Sequence, residues 1–552
     1  LRLFFSCFCI YLLSWGFHPI SFENSKSFEQ IMTAFFKEFL YNNEIRSLKE
    51  IILKTINNTS LFTKDNILLN INDPTTPPLE SDYYSEVNSG SWHLNSLRNE
   101  QCDIDNATGR RISNGKLLMP WTFFIDGLKT DKFGKITVEA VLTSCLWFNR
   151  RTRNRSSAWN ILGFVEDQKL FRKSNTYVRD EKAQDYHDMM SHIFSEFKGI
   201  YDSGGMKVRI DLSKCNGVNK EYVILPVIQF IIGDCKGNDL LCGRMAGHSL
   251  MMKGGCRDCD ISPNNLDDIP SCNDDDSAEF SSPCKFHDKS SIVGKTALEL
   301  KSMSFLNIHN AFSSISFGGC DRSIWGATPL EILHAVQLGL CEYVSESLEN
   351  VIFTAKPFED VLSKTASEIA INSTRQSERD LPSLSPFRHG LVSVKTLKAT
   401  ERFARVYCLY LAFANTYCIK SLTTYPMLKE NGRRLFTFDY LRGLFATMEQ
   451  LLIFHQWLKE EKIKKEHFLD GDDGTPSKAM QRVISFMTLF KRFITRPGNN
   501  LKTPKFHQIL HIVDYIQRFG APNNWDGSRG FGGSGSSPIP SSATNAGWTH
   551  YA

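Results

Sequence analysis

The chain has 552 residues, a formal net charge of +4, and 41% hydrophobic against 22% charged residues. These values exclude an intrinsically disordered chain and a small disulfide scaffold, and the length calls for two or three structural units rather than one core. A pI near 8.3 permits a nucleic-acid partner without arguing for one.

Fifteen cysteines, an odd number spread from Cys7 to Cys418, suit reduced thiols and metal ligands better than a disulfide framework. That places the protein in the nucleus or cytoplasm. The opening LRLFFSCFCIYLLSW (1–15) has the apolar length of a signal sequence behind a single Arg2, and is short for a membrane span. Because the sequence opens on Leu, the main expectation is a buried segment of a chain truncated at its N-terminus. Secretion or anchoring is the minority alternative, and no membrane partner is expected.

Residues 1–71 read as a helical N-terminal region, with apolar residues three and four apart in FEQIMTAFFKEFLYNNEIRSLKEIILKTI. A linker and lead-in segment follows over 72–115, opening on NDPTTPPLESD. From 116 to 250 the pattern turns to strands: LMPWTFFIDG, KITVEAVLTSCLWF (135–148) and AWNILGFV (158–165). A helix is predicted over 181–201, then a long apolar run, EYVILPVIQFIIGD (221–234), suited to a buried central strand. Three hairpin-connected strands, a helix and another buried strand give the order of an α/β ribonuclease-H-like core. A Cys-rich polar segment (251–291) and a mostly α-helical insertion (292–500) interrupt it. A terminal helix (501–530) and a low-complexity tail (531–552), expected to be disordered, close the chain.

Four constellations carry chemistry. Asp126 and Asp234 each end an apolar strand, where a carboxylate is costly unless water or a metal meets it. Either alone is more simply the start of a turn. Together, on neighbouring strand ends, they suit Mg²⁺ or Mn²⁺, which take oxygen ligands and support phosphoryl transfer. Second, Cys256 and Cys259 in CRDC have the spacing of two thiolates on one tetrahedral Zn²⁺. Cys284 and His287 in CKFH, or His507 and His511 at i and i+4 on the late helix, complete the site with nearly equal support, and Cys272 is a spare. Third, Arg150, Arg151, Arg153 and Arg155 beside Trp147 and Trp159 suit phosphate contact and base stacking, or form a solvated hairpin. Fourth, Glu331 and His334 share a face at a helix start after Pro329. They join a metal site, or Glu331 only favours the helix N-terminus. No P-loop, dinucleotide fingerprint or nucleophile elbow is present, so nucleotide-driven and serine-hydrolase chemistry have no support.

YYSEVNSGSWH, FFIDG, the Arg-rich segment before AWNILGF, IIGDCKGNDLLCGR, CRDC and TPLEILH, in this order over roughly residues 75–530, together resemble a DNA transposase. The group is the CACTA-like, Plavaka-type cut-and-paste elements of the DDE superfamily. The resemblance implies a ribonuclease-H-like fold with a helical insertion before its last helix. Asp126 would then be the first catalytic acid and Asp234 the second, on Mg²⁺ or Mn²⁺. CRDC matches the family's C-x2-C element. LEILH resembles its acid-x2-His element, with Glu331 where Asp is common, and His507 and His511 resemble the paired zinc histidines. The partners implied are transposon-end and target DNA and further copies of the chain. The third acid, a glutamate, should follow the histidines; here Phe531 stands near its place and the Gly/Ser-rich tail replaces the helix. Asp526 is the only acid nearby, and Glu331 is a weaker substitute. The expectation is therefore a transposase that has lost its third acid, with a catalytically dead DNA- or protein-binding protein as the alternative.

Overall fold

The computed structural model describes residues 46–526, apart from 77–79, 106–110, 130–136, 167–178, 214–216, 218, 246–254, 271–283, 320–321, 354–396, 398, 414–428, 431–432, 435–436, 473 and 497–499. Cys272, Phe531 and the segments 1–45 and 527–552 lie outside the described residues.

Helix α1 (Leu48–Asn57) is started by Ser47, whose side chain accepts from the Glu50 N–H. It buries Leu48, Ile51, Ile52 and Ile56, the spacing of one helix face. Within the segment expected to be linker and lead-in, α2 (Ser91–Glu100) buries Trp92, whose indole N–H donates to the Phe317 carbonyl at 2.8 Å.

The central sheet has five strands. β1 (Lys116–Lys129), β2 (Thr137–Cys145) and β3 (Trp159–Glu166) pair antiparallel in sequence. The helix predicted over 181–201 is two helices, α3 (Arg179–Ile193) and α4 (Ser195–Asp202), broken at Phe194. A strand pair follows that the sequence pattern disclosed only in half. β4 (Met206–Asp211) is a short edge strand, and β5 (Asn219–Ile232) lies between it and β1, antiparallel to β4 and parallel to β1. The order β3-β2-β1-β5-β4 is a mixed α/β core compatible with ribonuclease-H-like proteins in general.

Side chains alternate faces along each strand. Leu117, Met119, Trp121, Phe123 and Ile125 of β1 pack with α1, α3 and α4 on one face. Leu118 and Phe124 face the other way, with Val227, Phe230 and Ile232 of β5, toward the later helices. A register shift between Trp121 and Thr122 lies beside Pro120, an irregularity that accommodates proline inside a central strand. Burying aromatic side chains such as Phe123 and Phe230 contributes about 2–3 kcal/mol each.

Short α5 (Cys235–Leu241) follows β5. The expected helical region contains α6 (Cys341–Phe353), α7 (Ala399–Phe413), α8 (Phe438–Leu458) and α9 (Lys478–Phe493). Ahead of α6, Leu333–Leu340 is π-helical, a form that recurs at functional sites. The chain returns through the turns Pro504–His507 and Gln508–His511 into α10 (Ile512–Phe519), whose Phe519 packs on Phe230 of β5 with ring centroids 5.3 Å apart. None of the eight described cysteines (Cys102, Cys145, Cys235, Cys242, Cys256, Cys259, Cys284, Cys341) is disulfide-bonded. No described helix is long and apolar enough to cross a membrane.

Candidate metal centre and acidic site

The period of two fixes the acidic site. Asp126 has the same parity on β1 as Phe124, so it shares the face turned to the later helices. Phe124 is paired with Ile232, where the parallel pairing of β1 with β5 stops, and Asp234 lies two residues beyond Ile232. Asp126 does not end its strand as the sequence pattern predicts: β1 runs on to Lys129 against β2, with Asp126 opposite Ala140, so the two acids lie just past the end of the parallel pairing. Gly233 permits this approach: a Cβ there would sit 2.8 Å from the Ile125 carbonyl oxygen. Asp234 is the N-cap of α5, accepting from the Gly237 N–H, and the Gly127 N–H donates to Asp126 Oδ1 at 2.7 Å.

The π-helix brings His334 to the same place. Glu331 is buried and accepts from the N–H groups of Leu333 (3.0 Å) and His334 (2.7 Å), and its Oε2 is 2.7 Å from His334 Nδ1. Glu331 is thus occupied in starting the helix and orienting the imidazole, leaving His334 Nε2 as the other ring nitrogen. Burial pushes the Asp126 carboxyl up to about 7, with Asp234 adding to the rise and His334 opposing it. His334 is raised. Burial works against this, but its bond to Glu331 and the charges of Glu331, Asp126 and Asp234 outweigh that. Glu139, opposite Gly127 on β2, also raises Asp126; with Tyr186, whose hydroxyl donates to it at 2.9 Å, it was not singled out from sequence.

The second centre joins three distant parts of the chain. The ligand atoms of Cys256, Cys259, His507 and His511 all lie within 4.8 Å of one another, and all four residues are buried. Cys256 Sγ is 3.7 Å from His511 Nε2, and Cys259 Sγ is 3.2 Å from His507 Nε2. Bond lengths of about 2.3 Å to sulfur and 2.0–2.1 Å to nitrogen around a tetrahedral ion require S···N separations of about 3.6 Å. The donor set therefore fits a cation such as zinc. Burial pushes the Cys256 thiol up, but its hydrogen bonds to Cys259 and His511 and the neighbouring imidazoles hold it well below its ordinary value. Burial lowers His511, but Cys256, Asp258 and Cys284 bring it up to about 9. A thiolate facing an imidazolium is a pair that a cation can replace by displacing the proton.

The surroundings hold these ligands in place. The Asp258 N–H points at Cys256 Sγ (3.4 Å). The Asp258 carboxylate accepts from Gln508 Nε2 at 2.7 Å and the Tyr515 hydroxyl at 2.6 Å, tying the cysteine turn to the histidine helix. Thr503 caps the turn that carries His507. Of the alternative pair, Cys284 Sγ lies 4.0 Å from His507 Nε2, and a hydrogen bond to Cys259 pulls its thiol down to about 4. His287 lies elsewhere, edge-on to Phe305 at 5.2 Å, with its backbone N–H on Asp258. No other group of three such side chains closes to the same spacing among the described residues; Asp126, Asp234 and His334 stand further apart.

The Arg-rich segment divides. Instead of a hairpin it forms a helical turn, Arg150–Arg153, capped by Asn149. Arg153 is buried against Glu86 (3.2 Å) and Asn524 (2.9 Å), and Arg150 pairs with Glu461. Trp147 is buried, its indole N–H on the Leu118 carbonyl, and so offers no face to a base; Trp159 is partly buried against the core, its indole N–H on the Arg153 carbonyl. Arg151 and Arg155 are exposed. Arg153→Ala should cost about 3 kcal/mol in urea unfolding, because Glu86 and Asn524 lose their partner. Arg155→Ala should stay within about 0.5 kcal/mol of wild type. Equal losses would refute the division.

No protein-family model matches the chain, and no curated protein matches its sequence.

Proposed function

We propose that this chain is a transposon-derived DNA transposase of the CACTA-like, Plavaka-type group, with its strand-cleavage centre on Asp126 and Asp234. The observation that carries the reading is that both acids lie just past the point where the parallel pairing of β1 and β5 stops, beside a carboxylate-oriented His334. A divalent cation bound there would supply Lewis-acid activation of water or a 3′-hydroxyl and charge for the leaving oxygen. The chain's own part is separable from that. Asp126, whose carboxyl burial pushes up to about 7, must give up its proton to become a ligand, and Asp234 is held in place by the start of α5. His334, fixed at Nδ1 by Glu331, offers Nε2 as a proton donor to a phosphate oxygen. Arg151 and Arg155 are the members of the basic segment left to meet a DNA backbone, and a DNA substrate implies action in the nucleus.

The family's third acid, a glutamate, is expected near Phe531, outside the described residues. Asp514 of α10 is taken up by ion pairs with Arg322 and Arg518. Asp526, the nearest acid, is buried in an ion pair with Lys459. We therefore assign this copy retained DNA binding with crippled cleavage. The test is supercoiled-plasmid nicking in Mg²⁺ and Mn²⁺ by wild type, Asp126→Asn and Phe531→Glu, alongside salt-dependent DNA binding. Weak nicking abolished by the first substitution and raised by the second supports the reading. A full chain that binds no DNA at low salt would sink it.

A further inference from the structure

We propose that Cys284 is a reserve ligand of the metal centre, a third thiolate that keeps a soft divalent cation of the zinc or cadmium class four-coordinate when His507 or Cys259 is lost. The inference concerns the metal centre alone and stands apart from the DNA chemistry. Cys256 and His511 form one side of the donor group, 3.7 Å apart. Cys259 and His507 form the other, 3.2 Å apart, and Cys284 Sγ lies on this side, 4.0 Å from the same His507 nitrogen. Its thiol is also in hydrogen-bond contact with that of Cys259. A fifth donor thus adjoins two of the four ligands and stays out of the compact set.

Backbone bonds fix this proximity. Cys259 and Phe286 form an isolated antiparallel bridge. The Asp260 N–H donates to the Lys285 carbonyl at 3.0 Å, the Lys285 N–H to Asp260 Oδ1 at 2.8 Å, and the His287 N–H to the Asp258 carbonyl at 2.8 Å. Cys284 is therefore carried on a segment laced to the cysteine turn itself. It is buried and outside any disulfide. Four ligands saturate tetrahedral zinc, so the third thiol has no place while all four are present. Thiolate is the softer donor, so replacing an imidazole by it favours zinc and cadmium over harder cations.

The test uses the full chain loaded with Co²⁺, whose thiolate charge-transfer band counts sulfur ligands, with metal content measured per chain. Cys284→Ser should bind one Co²⁺ with the wild-type band. His507→Ala should still bind one, with a stronger band, and His507→Ala/Cys284→Ser should lose it. A folded His507→Ala that binds no metal overturns the proposal, as does a double variant that binds as well as the single one. If His507→Ala does not fold, Cys259→Ser against Cys259→Ser/Cys284→Ser gives the same contrast, with retained and lost metal as the expected pair. A wild-type chain that takes up no Co²⁺ removes the centre and the proposal together.

Discussion

Cys256→Ser is expected to release the metal and to unfold the joint between the sheet and the terminal helices. Cys256 is fully buried, faces His511, and receives the Asp258 N–H, so a serine there loses a ligand and leaves a polar pocket without its cation. Apparent zinc-binding free energies of about 10–16 kcal/mol in small zinc domains set the ceiling for the effect. This chain has large apolar clusters of its own, so a loss of about 5 kcal/mol is the expected scale, enough to consume much of an ordinary domain's stability of about 5–15 kcal/mol. Metal analysis and thermal melting, with and without a chelator, would measure it. Chelator should lower the wild-type melting temperature and leave the variant's unchanged. Equal metal content and coincident melts in the two proteins would mean that the four side chains gather for packing alone.

Asp126→Asn should remove a pH dependence and a cation dependence at once. Burial pushes the Asp126 carboxyl up to about 7, against an ordinary value of 3.8. Between those values the folded chain holds a proton that the unfolded chain has released. Stability from this group is therefore full below about pH 4 and is lost as pH rises through 7. At 1.36 kcal/mol per pH unit the difference is about 4 kcal/mol at most. Asparagine carries no such term, so the variant should match wild type at pH 4 and exceed it at pH 8. Mn²⁺ should restore wild-type stability at pH 8 through binding to the folded state and do nothing for the variant. Denaturation curves from pH 4 to 8, with and without Mn²⁺, decide the matter. Parallel profiles would show that Asp126 is an ordinary solvated acid.

Much of the sheet was legible because apolar runs in β1, β2, β3 and β5 are long and bounded by polar turns. β4 escaped because six residues, MKVRID, at a sheet edge alternate too briefly to stand out. Spacing alone also marked Cys256/Cys259 and His507/His511 as pairs. It did not decide between CKFH and the late helix, since spacing gives the number of ligands and not which distant segment closes the site. Packing brings the late helix to the cysteine turn: Tyr515 and Gln508 reach Asp258 across about 250 positions of sequence, and His507 and His511 join Cys256 and Cys259 in one group. The arginines show the opposite failure. Four within six residues look like one surface, yet Arg153 is claimed by Glu86 and Asn524, neither of which its local sequence announces.

The separation within the metal centre also sets a schedule for making the protein. Cys259 and His507 are 248 residues apart. At a synthesis rate of about 5–20 residues per second, the cysteine turn is made roughly 12–50 s before its histidine partner exists. For that interval its thiols can meet oxidants, other metals and other chains. Nascent-chain yield should therefore depend on redox conditions and on zinc supply during translation, more than on either after the chain is complete.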